Sequence, residues 1–70
     1  MAAVPFLLEA VNNDEEAPIV RHELLVSIGE MIDDKSIIDH FLKHPDPIVY
    51  QSCEVALSFI DARLAIKAME

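Results

Sequence analysis

Two side chains able to bind a divalent metal stand next to each other in Pro18-Ile19-Val20-Arg21-His22-Glu23-Leu24-Leu25. An imidazole nitrogen and a carboxylate oxygen are ordinary ligands for a non-heme iron or a similar ion, so His22 and Glu23 are the candidate metal residues. Two protein ligands do not complete a coordination shell, and a solvated helix face is the competing reading. A helix turns by about 100° per residue, which sets the pair across from Val20, Leu24, Ile28 and Met31, the expected core stripe, widened by Leu25 and Ile32. Gly29 falls on the His22 side, where a missing side chain leaves room for a ligand or for a closely packed helix.

Other reactive side chains give weaker signals. His40 and His44 are spaced i,i+4 at the end of a different helix, where they read as helix-end or surface histidines, with metal binding as the alternative. Cys53 is the only cysteine; it cannot form an intrachain disulfide and sits on the apolar side of its helix as a small core residue. Ser27, Ser36, Ser52 and Ser58 lack an accompanying base and oxyanion donor, so covalent catalysis has no support. With Gly29 the only glycine, no phosphate-binding loop can form.

The elements that must position these residues are helical. Val4, Leu7, Leu8 and Val11 outline a first helix, and Asn12-Asn13-Asp14-Glu15-Glu16 reads as a polar turn. Pro18 opens a second helix reaching about Ile32. Asp33 or Asp34 caps a third, with Ile37, Ile38, Phe41 and Leu42 facing inward, which stops near His44 before Pro45. Asp46-Pro47 starts a fourth with Val49, Cys53, Leu57 and Ile60 on its core side, running to about Ala68. A shift of 29 residues places Pro47-Ile48-Val49 on Pro18-Ile19-Val20, Val55 on Val26 and Cys53 on Leu24. Gln51 and Ser52 then occupy the places of His22 and Glu23. Such a repeat predicts an all-α, HEAT-like solenoid fragment of two stacked antiparallel helix hairpins, with a closed four-helix bundle as the alternative. Within the single domain 1–70, residues 3–32 form the metal-ligand-bearing repeat and 34–68 the terminal repeat and tail.

Composition narrows the functional classes. Thirteen acidic residues against five Lys and Arg give a formal charge of −8, which argues against nucleic-acid backbone binding and favours a basic partner. Charged residues or histidine interrupt every apolar cluster, so neither a membrane span nor a secretory leader is expected, and a soluble cytoplasmic setting follows.

Taken together, Val4-Pro5-Phe6-Leu7-Leu8-Glu9, the Pro18 to Glu23 segment, Asp46-Pro47-Ile48-Val49 and Ser52-Cys53-Glu54-Val55-Ala56-Leu57 resemble, in order and separation, the C-terminal part of deoxyhypusine hydroxylase (deoxyhypusine monooxygenase). The resemblance covers residues 3–61. It implies a HEAT-like superhelix in which four His-Glu pairs surround a diiron centre, with His22 and Glu23 as iron ligands in the penultimate repeat and Gln51 and Ser52 as non-ligands in the last. It also implies a substrate, the deoxyhypusine side chain of translation initiation factor 5A, which the family hydroxylates to hypusine. The other three His-Glu pairs are absent here. The expectation is therefore a C-terminal fragment that is inactive alone and needs the missing ligands from the complete protein or a complementary enzyme fragment. The alternative is a noncatalytic HEAT-like protein-binding module or truncated paralogue.

Overall fold

A computed structural model of the chain describes residues 3–69. It contains α1 (Ala3–Val11), α2 (Pro18–Met31), two short 3-10 segments (Lys35–Ile37 and Asp39–Lys43) and α3 (Pro47–Met69), with no strand among the described residues. The all-α, paired-hairpin arrangement expected from the periodicity is the one observed.

Each boundary has a local cause. Beyond Val11, the Asn13 carboxamide oxygen accepts the Glu15 amide at 3.0 Å, an Asx turn that draws the backbone away from helical pairing. Ala17, held extended before proline at φ −61° and ψ 142°, gives way to Pro18 in the first turn of α2. At the start of α3 the Asp46 Oδ1 accepts the Ile48 amide at 2.9 Å, and Pro47 again opens the helix.

The expected third α-helix forms instead as the two 3-10 segments. Asp34 begins it as anticipated, accepting the Ser36 amide at 3.0 Å and the Ser36 hydroxyl at 2.6 Å. These bonds hold the Asp34 carboxyl below its ordinary range, the hydroxyl contributing most. The backbone then closes i to i+3 contacts, including Phe41 N to Ile38 O and His44 N to Phe41 O, both 3.0 Å. A 3-10 helix rises about 2 Å per residue against about 1.5 Å for an α-helix, so few residues cover more of the return path along α2. Residues three apart also eclipse in this geometry, and Ile38 and Phe41 are both buried.

The helical contacts fix the order of packing. Arg21 reaches Asp46, His22 meets Ser52, Gly29 abuts Ala56, and Arg63 bonds the Gly29 and Ile32 carbonyls. Partners advance in the same direction along both helices, so α2 and α3 lie parallel. The 3-10 segments run antiparallel to α3, since Ile38 contacts Cys53 while Lys35 pairs with Asp61 farther along. One core results, from Val11, Leu25, Ile28, Ile38, Phe41, Val49, Cys53, Ala56 and Ile60.

That core departs from the simple stripe on α2. Val20 and Met31 are exposed and Leu24 is half-buried, whereas Arg21, Leu25, Ile28 and Gly29 are buried. Because α2 packs on α1 as well as on α3, two adjoining arcs are covered and the centre of burial shifts. Leu42, also expected inside, is exposed, as the tighter 3-10 turn swings it away from Phe41.

Candidate functional site

Above Gly29 the N-terminal halves of α2 and α3 part to form an open groove of about 460 Å³, lined by Pro18, Ile19, His22, Ile48, Gln51, Ser52 and Val55. Its walls are apolar apart from His22, Gln51 and Ser52. His22 is half-buried, and its Nδ1 lies 2.7 Å from Ser52 Oγ, while Ser52 itself is almost fully enclosed. Thus His22 stands in the seam between helices, not on an isolated solvated face. Glu23 is exposed and does not line the groove. Successive helical side chains diverge by about 100°, so adjacency in sequence does not bring this pair into one cavity.

The groove closes at Gly29. A Cβ there would come within 2.9 Å of Ala56 Cβ and 3.0 Å of the Ala56 Cα and carbonyl oxygen, so the missing side chain serves close helix packing.

A buried arginine ties the beginnings of α2 and α3 to the end of α1. Arg21 Nε donates to the Val11 carbonyl at 2.9 Å, and Nη1 to Asp46 Oδ2 at 2.9 Å. Its Nη2 lies 3.7 Å from an Asp14 oxygen, without a hydrogen bond, and Asp14 is largely exposed. The Asp46 carboxylate therefore caps α3 with one oxygen and holds Arg21 with the other, locking the end of α1 and the beginnings of α2 and α3 together. At the opposite end Arg63 Nε donates to Asp33 Oδ1 at 2.9 Å and Nη2 to the Gly29 carbonyl at 2.9 Å, supplying the cationic cap that α2 lacks in its own last turn. Lys67 joins Asp33 at 2.7 Å, and bonds from Lys67 and then Arg63 lower the Asp33 carboxyl from its ordinary value. Arg63 and Lys67 lie beyond residues 3–61, which carried the family resemblance; their roles depend on cross-helix distance.

The remaining candidates have structural partners. His44 Nδ1 accepts the Asp46 amide at 3.0 Å, and His40 lies against Phe41 with ring centroids 4.2 Å apart. Cys53 is buried and its thiol donates to the Ile38 carbonyl at 3.0 Å. Desolvation, then the nearby Asp39 and Glu54 charges, push the thiol up to about 11, which suppresses thiolate chemistry. Among the described residues no three His, Cys, Asp or Glu side chains are grouped as a metal site would require. The imidazole of His22 lies in an apolar groove and the carboxylate of Glu23 on the exposed face, so this pair alone does not make a metal site.

The chain is 44% identical to deoxyhypusine hydroxylase-B of Oryza sativa subsp. japonica, an alignment that covers 99% of this chain and 24% of that protein. It is 37% identical to deoxyhypusine hydroxylase of Schizosaccharomyces pombe, with 86% of this chain and 20% of the relative covered. With the Aspergillus niger enzyme of the same name it shares 38% identity over 86% of this chain and 19% of the relative. No protein-family profile matches the chain. No solved structure matches it either. The chain spans about a quarter or less of the length of these curated relatives, and over that span it is a homologue of the deoxyhypusine hydroxylases.

Proposed function

We propose that this chain supplies the His22-Glu23 part of a deoxyhypusine hydroxylase, the iron-dependent monooxygenase that converts deoxyhypusine on translation initiation factor 5A into hypusine in the cytoplasm. The alignment across nearly all of the chain with a deoxyhypusine hydroxylase carries this reading. The donor chemistry agrees with it. His22 Nδ1 is engaged by Ser52, which leaves Nε2 without a hydrogen bond among the described residues, and Glu23 forms no ion pair among them. Both groups suit a hard or borderline divalent ion.

When bound, iron supplies the activation of dioxygen. The residues of this chain hold donors and shape the surroundings: His22 offers its imidazole from the groove wall, Glu23 offers a carboxylate from the exposed face, and Pro18, Ile19, Ile48 and Val55 give the groove an apolar lining. Two donors cannot by themselves assemble two metal sites or orient a protein-bound amine, so the remaining ligands come from other helical repeats. A net charge of −8 suits a basic segment on the substrate protein.

Hypusine formation is the measurement that tests this. We expect no turnover by the 70-residue chain alone with ferrous iron, dioxygen and a reductant. We expect turnover when it is combined with the rice relative shortened by the matching segment, and loss of that turnover with His22→Ala. Turnover by the isolated chain would defeat the two-donor argument. Failure of a folded, docked complex to turn over would defeat the assignment to this reaction.

A further inference from the structure

Ser52 is nearly enclosed and has its hydroxyl between two acceptor-capable atoms. Its Oγ contacts His22 Nδ1 at 2.7 Å and also bonds the Ile48 carbonyl one turn earlier in α3. A serine hydroxyl has a single proton to donate. The Ile48 carbonyl can only accept, so that proton lies between Ser52 and Ile48. The lone pairs of Ser52 are then what face His22, and the short contact is satisfied when His22 Nδ1 carries the hydrogen and donates it to Ser52. In the neutral imidazole this leaves Nε2 unprotonated, with the lone pair a metal ion requires.

We infer that Ser52 is a positioning residue for His22, fixing the ring as its Nδ1–H form and presenting Nε2 to a divalent cation. The inference rests on the metal role proposed for His22 and adds the source of its ring orientation. Under the 29-residue equivalence Ser52 is the counterpart of Glu23. The second repeat therefore contributes to the site without contributing a ligand. Its backbone also completes the chain of bonds, since the carbonyl that orients Ser52 belongs to Ile48 in the first turn of α3, next to the Asp46 cap. A ligating histidine whose second nitrogen donates to a fixed acceptor is the usual arrangement around protein-bound metals, and loss of such an acceptor costs about 10- to 100-fold in metal affinity.

The ring nitrogen resonances of His22 in the 15N-labelled 70-residue chain, recorded near pH 8 where imidazole is mostly neutral, read this directly. The wild-type chain should show the Nδ1–H pattern. Ser52→Ala should shift the pattern toward the Nε2–H form that free histidine prefers, while Ser52→Thr, which keeps the hydroxyl, should restore it. Amide spectra of the variants report whether the helices remain packed. A wild-type Nε2–H pattern, or a pattern unmoved by Ser52→Ala in a folded chain, would overturn the inference. Adding cobalt(II) to the labelled chain docked with the rice relative shortened by the matching segment, where the remaining ligands are present, separates it from the functional reading. Broadening centred on His22 that needs about 10- to 100-fold more metal in Ser52→Ala supports both. The expected ring form without any cobalt effect at His22 would keep the Ser52 hydrogen bond and sink the metal assignment.

Discussion

Gly29 and Cys53 show how single atoms set limits in the seam between α2 and α3. Gly29→Ala adds a methyl where Ala56 leaves no space. The helix-propensity gain of about 1 kcal/mol is outweighed by overpacking of about 1 to 3 kcal/mol, so thermal unfolding should show a lower midpoint. Because backbone atoms of Ala56 also lie at 3.0 Å, adding Ala56→Gly should restore only part of the loss. Cys53 gives a pH signature. Its ordinary value of 9.0 rises to about 11 in the folded chain, so the folded state binds the thiol proton more tightly than the unfolded state. The stability from this group is full below about pH 9 and is lost as pH rises toward and through 11. Denaturation of Cys53→Ala should lack this alkaline component, and an unchanged alkaline slope would contradict it.

At the scale of elements, Asp46 joins three helices through one carboxylate. Asp46→Ala should lose a cap worth about 1 kcal/mol and a charged hydrogen bond to buried Arg21 worth about 1.5 to 3 kcal/mol. Asp46→Asn separates these contributions, because an asparagine oxygen still accepts the Ile48 amide while the charge facing Arg21 is removed. Urea denaturation should rank wild type above Asp46→Asn and Asp46→Ala last. Equal stabilities for the two variants would mean that the cap contributes nothing measurable. The 3-10 segments illustrate a different limit of local reading. Asp34 and Pro45 mark where the third element starts and stops, yet its pitch depends on the path required to return alongside α2.

For the whole molecule, stability rests on a small core. Leu25 is fully buried, whereas Leu24 is only half-buried. Leu25→Ala should cost about 2 to 5 kcal/mol, a large share of the roughly 5 to 15 kcal/mol typical of folded domains, and Leu24→Ala distinctly less. The reverse order in calorimetry would contradict the packing described. Phe6, Val20 and Met31, and Ile19 and Ile48 in the groove, are exposed, and sedimentation should show concentration-dependent self-association of the 70-residue chain.

Sequence by itself determined the helical class, the turn at Asn12 to Glu16, the proline-led starts of α2 and α3, the 29-residue correspondence and the inward place of Cys53. These follow from side-chain periodicity and from local bonds spanning a few residues. The family likeness was also legible, and the alignments bear it out across nearly the full chain. Tertiary structure decided which equivalent positions are buried. Leu25 and Gly29 pack into the molecule, while their counterparts Glu54 and Ser58 on α3 are exposed, because α2 has α3 laid along that side and α3 has no described neighbour there. It likewise decided that His22 meets Ser52, 30 residues away, and that Arg63 caps α2. Those contacts depend on the lateral register of two parallel helices, which no periodicity within either helix specifies.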